Sequence, residues 1–306
     1  MCNRDNRLNL ESIKSIDMEI WKIAVKKNTK VGKFDWQVGA ALCGRLDVLK
    51  WALERGYTPW DWGDKFILNI RHLDILKWAH KNGCPWHELT SRVATEYGHL
   101  DILKWISENG FPWRLSTCRV AAEYGHLDIL KWARENDCPW DESTCSMAVS
   151  NGHLDIFKWA HENGCPWNKL TCYKAVEYGH LDILKWVREN GCPWNEETCS
   201  MAAEYGHLDV LKSARENGCP WDERTFSRGA FNGRLGILVY LKSERCPWDA
   251  SACTSAAYSG NLETLRFLRA NGCPWDEVTY LHAKMFGHME VMNWARKNGC
   301  PTFFKV

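Results

Sequence analysis

Apolar positions along this chain follow two superposed periods. Within short stretches the spacing is helical. In 140–166, Cys145, Ala148, Val149 and Gly152 fall at i, i+3, i+4 and i+7, which predicts a short helix A with one apolar stripe. Asp141 stands where it can cap that helix, and Gly152 ends it. Leu154, Ile156, Phe157, Trp159 and Ala160 supply the buried face of a second helix, B, with Asp155 near its positive end. Gly164 suits a left-handed C-terminal residue, and Pro166 forbids continuation. The same pattern predicts helix A near 88–97 and helix B near 100–109.

The second period is long. Steps of 27 residues from Leu46 land on Leu73, Leu100, Leu127, Leu154, Leu181, Leu208, Leu235, Leu262 and Met289. His precedes most of them, at His72, His99, His126, His153, His180, His207 and His288. Glu-Tyr-Gly-His-Leu-Asp-Ile-Leu-Lys-Trp occurs unchanged at 96–105, 123–132 and 177–186. A period of this size is the mark of a solenoid. Neither helix of a unit can bury its apolar face alone, so units must stack. The expectation is an all-α, right-handed solenoid of about ten helix–turn–helix repeats.

The repeat accounts for two odd counts, 19 Trp and 15 Cys. Trp recurs in helix B, as in Trp159 and Trp186, and after the proline, as in Trp140 and Trp167. Core and inter-repeat packing explains these ladders better than a ligand platform, which needs exposed rings. One Cys series lies in helix A and the other follows helix B. Seven residues separate a Cys after helix B from the next helix A Cys, which is not a zinc-knuckle spacing. Phe226 replaces Cys in one slot and Phe111 in the other, which fits a small buried hydrophobe. With no export signal, free, reduced and buried thiols are expected. The periodic His fit a turn-stabilising hydrogen bond. A helix B stripe of Arg134, Arg188, Arg215, Lys242, Arg269 and Arg296, interleaved with acids, fits a solvated face with ion pairs.

Composition narrows the function. With 39 Lys+Arg against 38 Asp+Glu the formal charge is +1, which argues against nucleic acid as partner. No apolar run reaches the roughly 18 residues of a membrane span. No phosphate loop, nucleophile elbow or zinc-protease motif occurs, so no enzyme, cofactor, metal or small-molecule substrate is expected.

Gly-His-Leu-Asp-Ile-Leu-Lys-Trp-Ala-Arg-Glu-Asn-Asp-Cys at 125–138 resembles the second helix of the ankyrin repeat, and Ala121-Ala122 and Ala202-Ala203 match the Ala-Ala of its first. The unit is shorter than the usual 33 residues. The missing residues come from the segment that projects a β-hairpin finger in that family, so the finger should be absent. The Cys-Pro-Trp-Asp-Glu variant looks like the ankyrin arrays of giant DNA viruses and some algae or oomycetes. On this reading, 33–301 is the array, 302–306 a short tail, and 1–32 an N-terminal cap. That cap would be a single amphipathic helix over Leu10–Lys27 with Ile13, Ile16, Ile20, Ile23 and Ala24 on one side.

The resemblance implies an intracellular, monomeric protein-binding scaffold, cytoplasmic or nuclear (in a host cell if viral), with helix A lining the binding face. A ubiquitin-ligase adaptor without its own F-box is the alternative, and a nucleic-acid-binding solenoid a weaker one. Specificity must lie where units differ. The outer positions of helix A hold Arg92 and Val93, Arg119 and Val120, Ser146 and Met147, Tyr173 and Lys174, and Ser200 and Met201. They continue with Arg224, Arg228 and Phe231, Tyr258, and Leu281, His282 and Met285. Arg92, Arg119, Tyr173, Lys174, Arg224, Arg228, Phe231, Tyr258 and His282 are the candidate partner-binding residues, because interfaces are enriched in such types.

Overall fold

The computed structural model describes residues 13, 15–28, 30–31, 34–57, 71–84, 89–110, 116–192 and 194–302. Pro59, Trp60, Pro85, Trp86, Phe111 and Trp113, and Leu10 of the expected cap, lie outside them. The described residues form twenty helices and one pair of two-residue strands, in two compact units, Met1–Trp140 and Asp141–Val306.

The first unit opens with α1 (Met18–Lys27), then β1 (Lys30–Val31) antiparallel to β2 (Phe34–Asp35). It continues with α2 (Trp36–Leu42), α3 (Leu46–Leu53), α4 (Leu73–Lys81), α5 (Leu89–Glu96), α6 (Leu100–Glu108), α7 (Ser116–Tyr124) and α8 (Leu127–Glu135). In the second, helices A and B alternate as α9 (Glu142–Ser150), α10 (Leu154–Glu162), α11 (Lys169–Glu177), α12 (Leu181–Glu189), α13 (Glu196–Tyr205) and α14 (Leu208–Glu216). There follow α15 (Glu223–Phe231), α16 (Leu235–Ser243), α17 (Ala250–Tyr258), α18 (Leu262–Ala270), α19 (Glu277–Met285) and α20 (Met289–Lys297). Each helix A packs beside the next helix A, so α13, α15, α17 and α19 form a contiguous layer.

Local chemistry sets the boundaries. Asp141, Asp222, Asp249 and Asp276 cap their A helices by accepting from the amide two residues on. Asn168 and Asn195 form capping boxes with Thr171 and Thr198. Each turn between helices does three jobs at one histidine. His180 N donates to Ala175 O (2.9 Å) and closes α11, while its own carbonyl accepts from Leu184 N (2.9 Å) and opens α12. Its ring Nε2 meets Ser150 O (3.1 Å), the last residue of α9 one repeat back. His207 does the same to Glu177 O (2.9 Å) and His288 to Tyr258 O (2.9 Å). Asn261 substitutes at Phe231 O (2.9 Å). The expected local turn bond is therefore a staple between repeats. Helix B ends alike: Asn163 Nδ2 donates to Trp159 O (2.8 Å), Gly164 takes φ 82°, and Cys165 N donates to Ala160 O (2.9 Å).

Ile156, Phe157 and Ala160 of helix B and Cys145, Ala148 and Val149 of helix A are fully buried, as the spacing predicts. The tryptophans are not: Trp159, Trp186, Trp140 and Trp167 are half-buried. Trp186 lays its edge on Phe157 (5.0 Å) and His161 (5.2 Å) of the preceding repeat, so the ladder bridges repeats from the rim of the core. The cap also differs from expectation. Its helix begins at Met18, where Asp17 accepts from Glu19 N (2.7 Å). The buried face is Trp21, Ala24 and Val25, and Ile20 and Ile23 are each 53% exposed. At 3.6 residues per turn Ile20 and Ile23 lie to the side of that stripe.

The basic stripe is not a set of ion pairs with neighbouring acids. Arg134, Arg188, Arg215 and Arg269 donate to the carbonyls of Cys138, Cys192, Cys219 and Cys273, four residues on. The same guanidiniums lie over Trp140 (4.3 Å), Trp194 (5.3 Å), Trp221 (3.9 Å) and Trp275 (4.2 Å). The stripe clamps the loop that leaves helix B.

The cysteines correct a further expectation. Cys172 and Cys192 form a disulfide, with Cα atoms 6.6 Å apart and 20 residues between them. The informative spacing is thus from a helix A cysteine to the loop closing its own repeat. Stacking A on B brings those two positions together, which linear spacing hides. Cys118/Cys138, Cys145/Cys165, Cys199/Cys219 and Cys253/Cys273 occupy the same two positions, all as buried thiols.

Candidate partner-binding surface

The expected residues do not form one site. Arg92 is exposed on α5 and Arg119 half-buried on α7, both in the first unit. Val120 and Ser200, expected on the outer face, are buried. Each adjoins the apolar stripe of its helix, and the small or β-branched side chain there fits between neighbouring A helices.

In the second unit Tyr173 is half-buried, with Lys169 over its ring at 5.3 Å and Asn195 Nδ2 donating to its hydroxyl (3.5 Å). Lys174 pairs with Glu177 (2.7 Å) and lies 5.4 Å over Tyr178; the hydrogen bond to Glu177 holds its pKa above the ordinary lysine value.

Arg224, Arg228, Phe231, Tyr258 and His282 do come together, on the adjacent helices α15, α17 and α19. Arg228 lies between two carboxylates of α13, Glu197 (2.9 Å) and Glu204 (2.8 Å). Arg224 pairs with Asp222 (2.8 Å), whose hydrogen bond raises the guanidinium pKa, and reaches toward Glu197 (3.9 Å). Beside this charged corner the rings form a chain. Phe231 meets Tyr258 (5.5 Å), and Tyr258 meets His282 (5.6 Å) and Phe286 (4.1 Å). Glu204, Ser227, Arg228, Phe231 and Ser255 line a shallow depression of about 290 Å³ where the two parts join.

The apolar part is open to water: Phe231 is 40% exposed, Tyr258 37%, Met285 65% and Phe286 45%. Its neighbourhood is acidic toward α11 and α13. Tyr205 has a raised pKa, through burial first and then through Glu177 and Glu204.

Glu197, Glu204 and Phe286 were not among the sequence candidates. A signal for them existed. The last turn of helix A reads Glu96-Tyr97, Glu123-Tyr124, Glu177-Tyr178 and Glu204-Tyr205, then changes to Phe231-Asn232, Tyr258-Ser259 and Met285-Phe286. The regular carboxylate is replaced by apolar bulk in three consecutive repeats.

The family model for ankyrin repeats in many copies matches residues 118–161. No curated protein matches the chain. Among solved structures, the human ASB11 ankyrin repeat domain is similar at 17% identity and a TM-score of 0.43, covering 51% of this chain and 84% of that one. Among the described residues no helix is long and apolar enough to cross a membrane. The chain carries ankyrin repeats, and the 27-residue unit within the matched segment is the one that recurs along it.

Proposed function

We propose that this chain is a protein-binding scaffold whose partner docks on the outer face of helix A in the second unit, centred on Phe231 and Tyr258. Ankyrin repeats are generally protein-interaction scaffolds and typically non-enzymatic. The observation that carries the reading is the open aromatic chain from Phe231 through Tyr258 to Phe286, set against the Glu197–Arg228–Glu204 network. Stacking of repeats does not require these side chains, since earlier repeats hold Glu in the same slot. Exposed apolar bulk next to fixed charge is the composition of an interface core and its rim. Arg224 and His282 extend this surface. Tyr173 and Lys174 are proposed as flanking contacts, and Arg92 and Arg119 as separate contacts of the first unit.

The test is capture from the native cell by the intact chain, compared with a Phe231→Ser, Tyr258→Ser, Arg228→Ala variant whose helicity is checked by circular dichroism. The wild type should retain a partner that the variant loses. Capture that survives in the variant, yet disappears on charge reversal along the helix B stripe, moves the interface to the opposite face.

A further inference from the structure

The bridged pair Cys172–Cys192 is one of five equivalent cysteine pairs, and the other four share its surroundings. The repeat that holds it has the same capping, the same turn and the same loop as its neighbours. In the pairs that remain as thiols, the helix A sulfur already faces its partner. Cys118 Sγ lies 3.8 Å from Cys138 O, and Cys145 Sγ 3.9 Å from Cys165 O. In Cys199/Cys219 and Cys253/Cys273 the two thiols hydrogen-bond to each other.

We propose that all five pairs are disulfide-forming sites, so that oxidation ties helix A to the loop after helix B in one repeat after another.

Two features make the loop cysteine the attacking group. The hydrogen bond from its partner thiol lowers the pKa of Cys138, Cys219 and Cys273, with Arg134, Arg215 and Arg269 adding to the effect. The helix A partners Cys145, Cys199 and Cys253 shift the other way, because they hold the shared proton and are buried. An attacking thiolate beside a resolving thiol is the arrangement that exchange needs. Access comes from the loop side, where Trp167, Asn168, Lys169, Cys172, Gly191 and Cys192 line a depression of about 190 Å³.

The oxidant is a low-molecular-weight disulfide, RSSR. The loop thiolate attacks one sulfur of RSSR, the S–S bond breaks, and RS⁻ leaves and takes up a proton. The helix A thiol then loses its proton and attacks the mixed disulfide, releasing the second RSH. Two protein thiols give up two electrons and two protons, and RSSR becomes two RSH.

The chain contains its own controls. Phe226 stands where Cys246 would need a partner, and Tyr280 does so for Cys300, so neither loop cysteine can bridge within its repeat. The full-length chain is reduced with a phosphine, freed of reductant in folding buffer, and exposed to oxidised glutathione. Free thiols are then alkylated and a non-reducing peptide map is read by mass spectrometry. The expected result is five links, each between cysteines 20 residues apart, with Cys246 and Cys300 alkylated or carrying glutathione. The oxidised chain should also unfold at a higher denaturant midpoint than the reduced chain. Cys199→Ser, with helicity checked, should remove the link to Cys219 and leave the others. Links between different repeats, glutathione adducts without internal links, or links that form only in denaturant would each overturn the proposal.

Discussion

His180 Nε2 stands 3.1 Å from the carbonyl oxygen of Ser150, and the same bond joins His207 to Glu177 and His288 to Tyr258. The ring donates across the gap between one repeat and the last turn of helix A in the repeat before. It answers one of the carbonyls that a helix C-terminus leaves unpaired.

Replacing that ring should therefore loosen coupling between repeats more than it loosens the repeat itself. His180→Ala should cost about 1 kcal/mol, the usual worth of such a bond. His180→Asn should be close to neutral, because Asn261 makes the equivalent bond to Phe231 O at 2.9 Å. Chemical denaturation of the full chain measures both, and equal losses in the two variants would show that ring packing matters rather than the bond.

Glycine at the turn has a cause that one substitution pair can isolate. Gly179 (φ 75°) and Gly164 (φ 82°) share the left-handed backbone, but a Cβ at Gly179 would run into the His207 ring, while Gly164 has open space. Gly164→Ala should cost about 1 kcal/mol from backbone strain alone. Gly179→Ala should cost more, and His207→Ala in the same chain should recover part of the difference. Equal costs in the two single variants would refute the contact.

The largest single-site loss is expected at Phe157, fully buried and edge-on to Trp167 and Trp186 at 5.9 and 5.0 Å. Phe157→Ala should cost about 3–5 kcal/mol. Trp159→Ala should cost less, since that ring is only half-buried. A denaturant midpoint that moves further for Trp159→Ala would place the core on the wrong side of helix B.

Arg215→Ala should cost about 1–2 kcal/mol, through loss of the bond to Cys219 O and of the contact 3.9 Å over Trp221. Arg215→Lys should keep the ring contact, as Lys242 does over Trp248 at 3.8 Å. Reversal of the neighbouring acids should leave the stability of both proteins unchanged, whereas a surface ion pair would respond.

Burial pushes the Cys246 thiol up to about 12 and those of Cys84 and Cys300 to about 11, from an ordinary value of 9.0. These folded values exceed the unfolded one, so the folded state holds its protons more tightly. Stability from these groups is complete below pH 9 and falls as pH rises toward 11–12. Unfolding curves of the reduced chain against pH should be flat on this account below 9 and decline above it. Alanine at all three positions should flatten the decline.

Much of this protein is written locally. Helix bounds, caps and turns follow from Asp141, Gly152, Gly164 and their repeats, because each is decided by hydrogen bonds within a few residues. The apolar stripe of Cys145, Ala148 and Val149 is likewise buried as its spacing requires. The all-helical repeat fold is legible for the same reason, since a 27-residue period leaves no other way to bury two short stripes. Position along the chain could not show what meets across a stack. That His180 reaches a carbonyl 30 residues back, that Arg215 covers Trp221 rather than an acid, and that Cys172 finds a cysteine 20 residues on all depend on packing helix A against B and repeat against repeat. The candidate surface divides the same way. The sequence singled out Arg228, Phe231 and Tyr258 as irregular outer residues, but only the side-by-side placement of α13, α15, α17 and α19 brought them to Glu197, Glu204 and Phe286. Local order is set by bonds between near neighbours, whereas a surface is set by distances between residues that the sequence holds far apart.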